Sequence, residues 1–499
     1  MFGRDGRGNR LKNIVVLTKD DTLKRKTAKG LFWGGLSSSL QQVLGTIFGL
    51  VTARILNAED YGLIGMLAIF SGIVNILQEG GFTAALVNRK DLRYDDYNSV
   101  FWFTTVCGIV FYVILFLLSP LIASFYRRPE LLLLSRLLFL SFVFGGVGIA
   151  LNAYLHKNFM VKERAKSDMI AIIVSGIVGI LLAVKGFAAT GLAIQSVVYC
   201  LIGSATRFYY SPWKPTFHFQ MKPLREMFGF SSKLIATNFI FQVNQNMLSV
   251  TMGKFYSVDQ LGFYTQGQKW MWMANQTITG MIGAVVQPVL VEVDKNIESQ
   301  RNVFRKMIRF GAFISFPMMA GLAIIAKEFI WILLGEKWMP SVPYLQILCV
   351  WGCFSYLWIL YIYALMSNGR SSQYLLGTVL TGIIQLFVVW LVYPWGTYWM
   401  AIGFVAVSCL SLFYWHIAAN QSLSLSIRQV WKDIFPYLTI TAISILVAWL
   451  GAKLTSNHYI SISVKVLLFS GTYLLIAKKL DSTILNEVII FFRKRGGVS

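Results

Sequence analysis

The chain has 499 residues, of which 56% are hydrophobic and only 13% are charged, and its formal net charge is +23. A soluble domain carries roughly 25% charged residues, so this composition excludes a water-soluble protein with an ordinary surface. The cations stand mostly in short connections between apolar stretches, where lipid headgroups and membrane orientation account for them, and we expect no nucleic-acid partner.

Long apolar stretches follow one another along nearly the whole chain, and a membrane-spanning helix needs roughly 20 such residues. The basic segment 1–30 precedes the first stretch, which lacks a small-residue cleavage pattern and is expected to remain as a span. The predicted spans are approximately 31–53, 61–79, 100–121, 131–155, 169–185, 190–210, 232–252, 262–284, 308–330, 343–365, 372–392, 397–416, 435–452 and 460–477. The sequence therefore predicts an all-α integral membrane protein with about 14 transmembrane helices.

The charges of the connections predict the orientation of the chain. With a cytoplasmic N-terminus, about 34 Lys and Arg residues lie on the cytoplasmic side and about 10 on the other. Both termini are then cytoplasmic, as an even number of spans requires. The connections are too short for a nucleotide-binding domain, so we expect a transporter rather than an enzyme, without a cofactor and driven by an ion gradient or the membrane potential. The five cysteines lie within apolar stretches, and we expect neither a disulfide framework nor a metal site.

A weak internal repeat relates the two halves of the chain. The segment RILNAEDYG at 54–62 follows the first span, and KFYSVDQLG at 254–262 follows the seventh. An offset of six spans predicts two parallel six-helix lobes around a central cavity, plus two extra C-terminal helices. The alternative is that any external helical hairpin uses Asp and Gly at its turn. The predicted domains are the basic N-terminal segment 1–30, an N-lobe 31–215, a C-lobe 225–416, the last two spans 435–477 and a basic tail 478–499.

Amide side chains are concentrated in the seventh predicted span. Asn238, Gln242 and Gln245 follow a helical spacing and form one face, continued by Ser249. An amide offers both a donor and an acceptor, so this face suits a hydroxyl-rich sugar; the alternative is hydrogen bonding between helices. Gln42 in the first span and Gln276 in the eighth are further candidates for contact with a substrate.

Three cations are candidates for binding an anionic group such as a diphosphate. Lys269 is placed well inside the eighth span, whereas Arg54 and Lys254 occupy equivalent ends of the first and seventh spans. The alternative for Arg54 and Lys254 is snorkelling at the membrane rim. Carboxylates are absent from the middle of the predicted spans, which counts against an antiporter of cationic drugs. Tryptophans such as Trp272 and Trp399 are expected mostly in the interfacial belt.

The residues LGTIFGLVTARILNAEDYGL at 44–63 and EGGFTAALVNRKDLRYDDYNSVFW at 79–102 resemble bacterial polysaccharide flippases. These are the O-antigen, colanic-acid and teichuronic-acid exporters of the multidrug/oligosaccharidyl-lipid/polysaccharide exporter superfamily. The detailed match covers the N-terminal lobe, and the remainder agrees in hydropathy and span count. Arg54, Arg89 and Lys90 stand at positions of the family motif; the alternative for Arg89 and Lys90 is that they anchor the cytoplasmic loop.

The resemblance implies a protein of the cytoplasmic (inner) membrane that moves undecaprenyl-diphosphate-linked oligosaccharide to the outer leaflet by alternating access. It implies coupling to H+ or Na+ and partners among membrane lipids, a polysaccharide polymerase and assembly proteins. Family members place cations on several spans around the cavity, and this chain has few. Two alternatives stay open, an ion-coupled antiporter of drugs or other small molecules with the same fold and a non-transporting membrane scaffold.

Overall fold

The computed structural model describes residues 38–79, 81–88, 93–292, 297–455 and 457–479, and within them every regular element is helical. A chain in hydrocarbon must pair its backbone groups internally, and helices do so within one segment. In chain order the α-helices are α1 (38–55), α2 (Ala58–Glu79), α3 (Phe82–Asn88), α4 (Tyr94–Tyr126), α5 (Glu130–Lys157), α6 (Val161–Val184), α7 (Ala188–Tyr210), α8 (Met221–Phe255), α9 (Val258–Glu292), α10 (Ile297–Leu333), α11 (Val342–Ser367), α12 (Ser371–Val392), α13 (Thr397–Leu423), α14 (Ile427–Ala452) and α15 (His458–Lys479). Two 3-10 helices, Glu336–Ser341 and Tyr393–Trp395, precede α11 and α13.

Eleven helices of the described residues are long and apolar enough to cross a membrane. The prediction of an all-α membrane protein is confirmed. Each predicted span overlaps one helix, but α1, α8 and α9 are not among the eleven, and the count of 14 spans stays a prediction. Helix α3 was not predicted, because seven residues are too few to form an apolar stretch of membrane length.

Large apolar side chains cover much of the outer surface of these helices. Leu117 on α4 is 69% exposed and Leu475 on α15 is 67% exposed. Such a surface would be unfavourable in water, whereas hydrocarbon solvates it. The exposed apolar surface therefore agrees with the length and composition of the helices.

The chain divides into two compact units. In the described residues, the first contains α1, the part of α2 from Phe70, helices α3 to α7 and the part of α8 up to Ala236. Polar side chains tie its helices together. Gln78 on α2 is buried, and its Nε2 donates to the carbonyl oxygens of Thr104 on α4 at 3.2 Å and Phe142 on α5 at 2.8 Å. One amide thus fixes three helices.

An apolar cluster and an ion pair complete the first unit. The cluster consists of Phe82, Leu86, Tyr97, Val100, Phe101, Ala150, Leu151, Ala153, Trp213 and Leu224. Arg207 on α7 binds Asp168 on α6 at 2.7 Å, and Gln41 on α1 donates to the other carboxylate oxygen at 3.4 Å. Charges inside a helix bundle are expensive unless they are paired, and this pair joins α6 to α7.

The second unit contains the part of α2 up to Ile69, α8 from Thr237 and helices α9 to α15. Helices α14 and α15 pack on α10: Ile440 and Tyr473 lie against Phe313, and Ala448 and Phe469 lie against Ala320. Ion pairs reinforce this packing. Asp433 binds Arg305 at 2.7 Å and 3.0 Å and lies 3.7 Å from Arg309, and Lys465 binds Glu328 at 2.7 Å.

Glu328 is a buried carboxylate close to the end of the ninth predicted span. It stands two residues before that end, and its side chain also accepts from the hydroxyl of Ser461 at 2.8 Å. Because Lys465 balances its charge, Glu328 is committed to joining α10 and α15. Proton exchange would need a carboxylate whose charge can change without disrupting such a pair.

Within the second unit, α2 and α9 approach closely at two glycines. A Cβ atom on Gly62 would lie 2.1 Å from the carbonyl oxygen of Val258, and one on Gly262 would lie 1.9 Å from that of Ala58. The four residues are pairwise equivalent in the sequence repeat, so the contact is reciprocal. Only glycine permits this backbone separation at both positions.

Candidate functional site

A pocket inside the second unit is lined by side chains from five helices, α8, α9, α11, α12 and α13. We call it the Trp–amide pocket. Its volume is about 90 Å³, which is room for several water molecules. Its lining consists of Phe241, Asn244, Gln245, Trp272, Asn275, Thr279, Trp351, Ser355, Trp358, Ile359, Thr378, Thr381, Gln385, Ser408, Ser411 and Trp415. None of these side chains is charged.

Hydrogen bonds hold three amides of the Trp–amide pocket in place. The Nδ2 atom of Asn244 donates to the carbonyl oxygen of Thr378 at 2.8 Å, and the Nε2 atom of Gln385 donates to the hydroxyl of Ser408 at 3.0 Å. In the third pair, the hydroxyl of Ser355 donates to Oδ1 of Asn275 at 2.6 Å. An amide carries a donor, the NH2 group, and an acceptor, the oxygen. Each bond engages one of these two groups and thereby orients the other.

Aromatic rings form the rest of the pocket wall. The ring of Phe241 stacks on that of Trp358, with centroids 5.4 Å apart and planes inclined by 13°. Trp415 is buried, and its indole N–H has no hydrogen-bond partner among the described residues. Most buried indole N–H groups find a partner, so this donor is free to serve a bound molecule.

Of the predicted site residues, Gln245 lines the pocket. Asn238 and Gln242 are partly buried on α8 but outside the lining, and the carbonyl oxygen of Gln242 accepts from Asn246 at 2.9 Å. Gln276 is exposed on α9. The direction of the amide face was therefore only partly anticipated: Asn244, beside Gln245, is the other amide of α8 in the pocket.

Lys269 lies on α9, one helical turn before Trp272 of the pocket. Its Nζ atom is 5.8 Å from the ring centroid of Tyr61 and 5.7 Å from that of Trp270. Aromatic faces attract a cation. The neighbouring Gln266 is completely buried, and neither polar atom of its side chain has a partner among the described residues.

The other predicted cations and Gln42 are placed separately. Arg54 is exposed near the end of α1 in the first unit, where Gln42 is partly buried. Lys254 is partly buried near the end of α8 in the second unit. Arg89 lies outside the described residues. A role for these four residues in substrate binding stays a prediction.

The residues that sequence reasoning missed share a helical spacing. Thr378, Thr381 and Gln385 follow one face of α12, and Trp272, Asn275 and Thr279 follow one face of α9. Ser408, Ser411 and Trp415 do the same on α13. Residues at i, i+3 and i+7 share a face, so a search for polar and tryptophan stripes on every helix would have found them. Trp272 was expected in the interfacial belt, but it belongs to this pocket.

Comparisons with known proteins agree with this architecture. An "Uncharacterized membrane protein in cps region" of Klebsiella pneumoniae is 26% identical over 340 residues, which is 66% of this chain and 69% of the relative. The "Lipopolysaccharide biosynthesis protein WzxC" of Escherichia coli (strain K12) is 25% identical over 337 residues, 66% of this chain and 68% of the relative.

Solved structures show the same fold. The lipid II flippase MurJ in an inward closed conformation aligns with a TM-score of 0.75 at 14% identity, covering 91% of this chain and 99% of the flippase. A multidrug resistance transporter of the MATE family in an inward-facing conformation aligns with a TM-score of 0.61 at 15% identity, covering 77% and 94%. The fold is therefore shared by flippases and by drug transporters.

The sequence family described as "Polysaccharide biosynthesis protein" matches residues 51–343, which is more than half of the chain. The match includes α2 to α10 and the repeat segment at 254–262. The chain belongs to this family of polysaccharide biosynthesis proteins.

Proposed function

We propose that the protein is a transporter that moves undecaprenyl-diphosphate-linked oligosaccharide from the cytoplasmic to the outer leaflet for the synthesis of a cell-surface polysaccharide. The family supports a role in polysaccharide synthesis, and the name of the WzxC relative refers to lipopolysaccharide synthesis. The structure most similar among those described above is that of a lipid II flippase. Such a protein needs no catalytic residue, because no covalent bond changes during translocation.

The chemistry of the Trp–amide pocket favours a sugar-bearing substrate over a cationic drug. The fold alone does not distinguish a flippase from a drug transporter, because a MATE transporter shares it. A cationic drug would need a carboxylate to balance its charge in this pocket, and the lining has none. Amides, hydroxyls and tryptophans instead provide hydrogen bonds and ring faces for an uncharged, hydroxyl-rich molecule.

Lys269 is the residue that we propose for contact with the diphosphate. It is a cation in the interior of α9, three residues before Trp272 of the Trp–amide pocket. Its Nζ atom lies over the rings of Tyr61 and Trp270. A phosphate binds a lysine ammonium as a point charge through charge-assisted hydrogen bonds. The neutral pocket and Lys269 would thus serve the two chemically different parts of one substrate.

The remaining parts of the function follow from the same proposal. Transport would be driven by H+ or Na+ coupling or by the membrane potential, and the product would pass to a polysaccharide polymerase and assembly proteins. A scaffold without transport would need an exposed surface for partners. The longest connection between helices in the described residues is 211–220, which offers little such surface.

The proposal is tested by deleting the gene and restoring it on a plasmid. We expect the deletion to abolish the surface polysaccharide and to accumulate lipid-linked repeat units in the inner leaflet, and the wild-type plasmid to reverse both. Lys269→Ala should lower the rate of export by roughly ten- to hundredfold at normal expression, because a charged hydrogen-bonding partner is lost. Lys185→Ala, in the exposed turn after α6, is the matched control and should behave as wild type.

The gene deletion tests the proposed function, and the Lys269→Ala variant tests the proposed binding residue. Unchanged lipid-linked intermediates in the deletion strain, together with altered drug efflux, would show that the drug antiporter is the correct alternative. Unchanged intermediates and unchanged efflux would favour a scaffold. Wild-type export by Lys269→Ala would remove Lys269 from the proposed site and leave the function intact.

A further inference from the structure

The lining of the Trp–amide pocket restricts the chemistry of its ligand. All sixteen lining side chains are uncharged, so a buried phosphate or cation would find no opposite charge there. An acyl chain would fill the space but would leave the indole N–H of Trp415 and the unused groups of the amides without partners, which is unfavourable in a buried site. A ligand that satisfies both conditions is neutral and carries many hydrogen-bonding groups.

From this chemistry we infer that the Trp–amide pocket binds one neutral sugar ring of the transported glycolipid, separately from its diphosphate. The inference rests on the proposed function and adds the position at which the sugar is recognised. The volume of about 90 Å³ is smaller than a whole pyranose, so the pocket receives one edge of a single ring with its hydroxyls and is far too small for an oligosaccharide.

Fixed polar groups provide the first element of recognition. Asn275 is held by Ser355, and Gln385 is held by Ser408, so the halves of these amides that remain are oriented before a ligand arrives. Sugar hydroxyls both donate and accept, and amides match them in both directions. Oriented groups lose little entropy on binding and therefore favour hydroxyls at particular positions of the ring.

Tryptophan rings provide the second element. Trp272, Trp351, Trp358 and Trp415 line the same pocket. The negative face of an indole attracts the weakly positive C–H groups on the face of a pyranose, while the ring edges stay available for hydrogen bonds. The unpartnered indole N–H of Trp415 supplies a further donor.

The position of Lys269 provides the third element. Lys269 precedes Trp272 by three residues of α9, a rise of about 4.5 Å along the helix axis. The first sugar of a lipid-linked oligosaccharide is joined directly to the diphosphate. A sugar that packs against Trp272 therefore brings the diphosphate near Lys269. The ring that binds in the pocket is then the first sugar, the one joined to the diphosphate.

Binding to the purified full-length protein in lipid nanodiscs tests the inference. The two probes are the undecaprenyl-diphosphate-linked saccharide extracted from the source strain and undecaprenyl diphosphate without sugar. We expect wild type to bind the saccharide-linked lipid more tightly. Trp272→Leu and Gln385→Leu should each weaken its binding by up to about tenfold and leave binding of the bare lipid unchanged. Trp399→Leu replaces a tryptophan that is exposed on α13 and should change neither affinity.

Two comparisons keep the outcome interpretable. Trp272→Phe keeps an aromatic face and should recover most of the lost affinity, and binding of the bare lipid shows that each variant is folded. The sugar pocket would be refuted if wild type bound the two lipids with equal affinity. It would also be refuted if Trp272→Leu and Gln385→Leu both kept the wild-type ratio of affinities for the saccharide-linked and the bare lipid. Neither result would contradict the proposed function as a flippase. Failure of wild type to bind either lipid would contradict the proposed function itself.

Discussion

At the scale of single residues, buried carboxylates are tied to cations on neighbouring helices. Asp168 pairs with Arg207 in the first unit, and Glu328 pairs with Lys465 in the second. Water cannot stabilise these charges in the interior of a bundle, so each member depends on its partner. The pairs also specify which helices lie together, because each one joins two neighbouring helices.

Neutralising one member of such a pair should destabilise the protein. In Glu328→Gln, the ammonium of Lys465 would remain buried without an opposite charge, and we expect a loss of about 3 kcal/mol in the free energy of unfolding. Adding Lys465→Met should recover much of that loss, because it removes the unpaired charge. Thermal unfolding of the purified protein in detergent measures both effects.

The matched control for this pair is Glu298→Gln on the same helix. The Glu298 side chain is 72% exposed and lies 3.7 Å from Arg301, a surface pair that contributes less than about 1 kcal/mol. Equal melting temperatures for Glu328→Gln and Glu298→Gln would show that the buried pair does not support the fold.

Single residues also mark the limit of what the sequence could predict about the site. The amides of α8 stood out because five occur within nine residues, and Asn244 and Gln245 do line the pocket. Gln385 and Asn275 belong to polar stripes on α12 and α9 that are visible in the sequence, but a stripe does not show which neighbouring helix it faces. That depends on the packing of α9 and α12 against α8, which no local pattern encodes.

At the scale of helices, apolar length was sufficient to locate the long elements. Each predicted span overlaps a helix because hydrocarbon requires both apolar side chains and internally bonded backbone. The helix ends were less predictable. Helix α4 begins at Tyr94, six residues before its predicted span, because polar residues such as Asp95 and Asp96 continue the helix beyond the apolar stretch. Helical hydrogen bonding does not stop where hydropathy changes.

The crossing of α2 and α9 gives a prediction at this scale. Gly262→Ala places a methyl group where only 1.9 Å separates its Cβ atom from the carbonyl oxygen of Ala58, so the helices must move apart. We expect a loss of roughly 1–3 kcal/mol, the usual effect of overpacking a close contact, measured as a lower melting temperature.

Gly280→Ala, on the same helix, is the control for the α2–α9 crossing. A Cβ atom at Gly280 has no neighbour within 4 Å, so the higher helix propensity of alanine should stabilise the protein by up to about 1 kcal/mol. The two substitutions are chemically identical and should therefore act in opposite directions. A loss of stability in both variants would indicate a general need for glycine in α9 rather than a close crossing.

At the scale of the whole molecule, the distribution of Lys and Arg predicts an orientation that the helices themselves do not. The helix ends near 157–166 and 207–225 are rich in cations, whereas the turn at 185–187 contains one lysine. Cationic connections are retained in the cytoplasm during insertion, so we propose that both termini and the connection 211–220 are cytoplasmic and that the turn after α6 faces the outside.

Reporter fusions on either side of α7 test this orientation. Alkaline phosphatase is active only outside the cytoplasm, so a fusion after Gly186 should be active and a fusion after Lys214 should be inactive. Green fluorescent protein fused after Lys214 or at the C-terminus should fluoresce, because it folds in the cytoplasm. The opposite pattern at both sites would show that the chain has the reverse orientation in the membrane. A fluorescent fusion after Lys214 combined with a dark, phosphatase-active C-terminus would show an odd number of spans beyond α7 and would refute the count of fourteen.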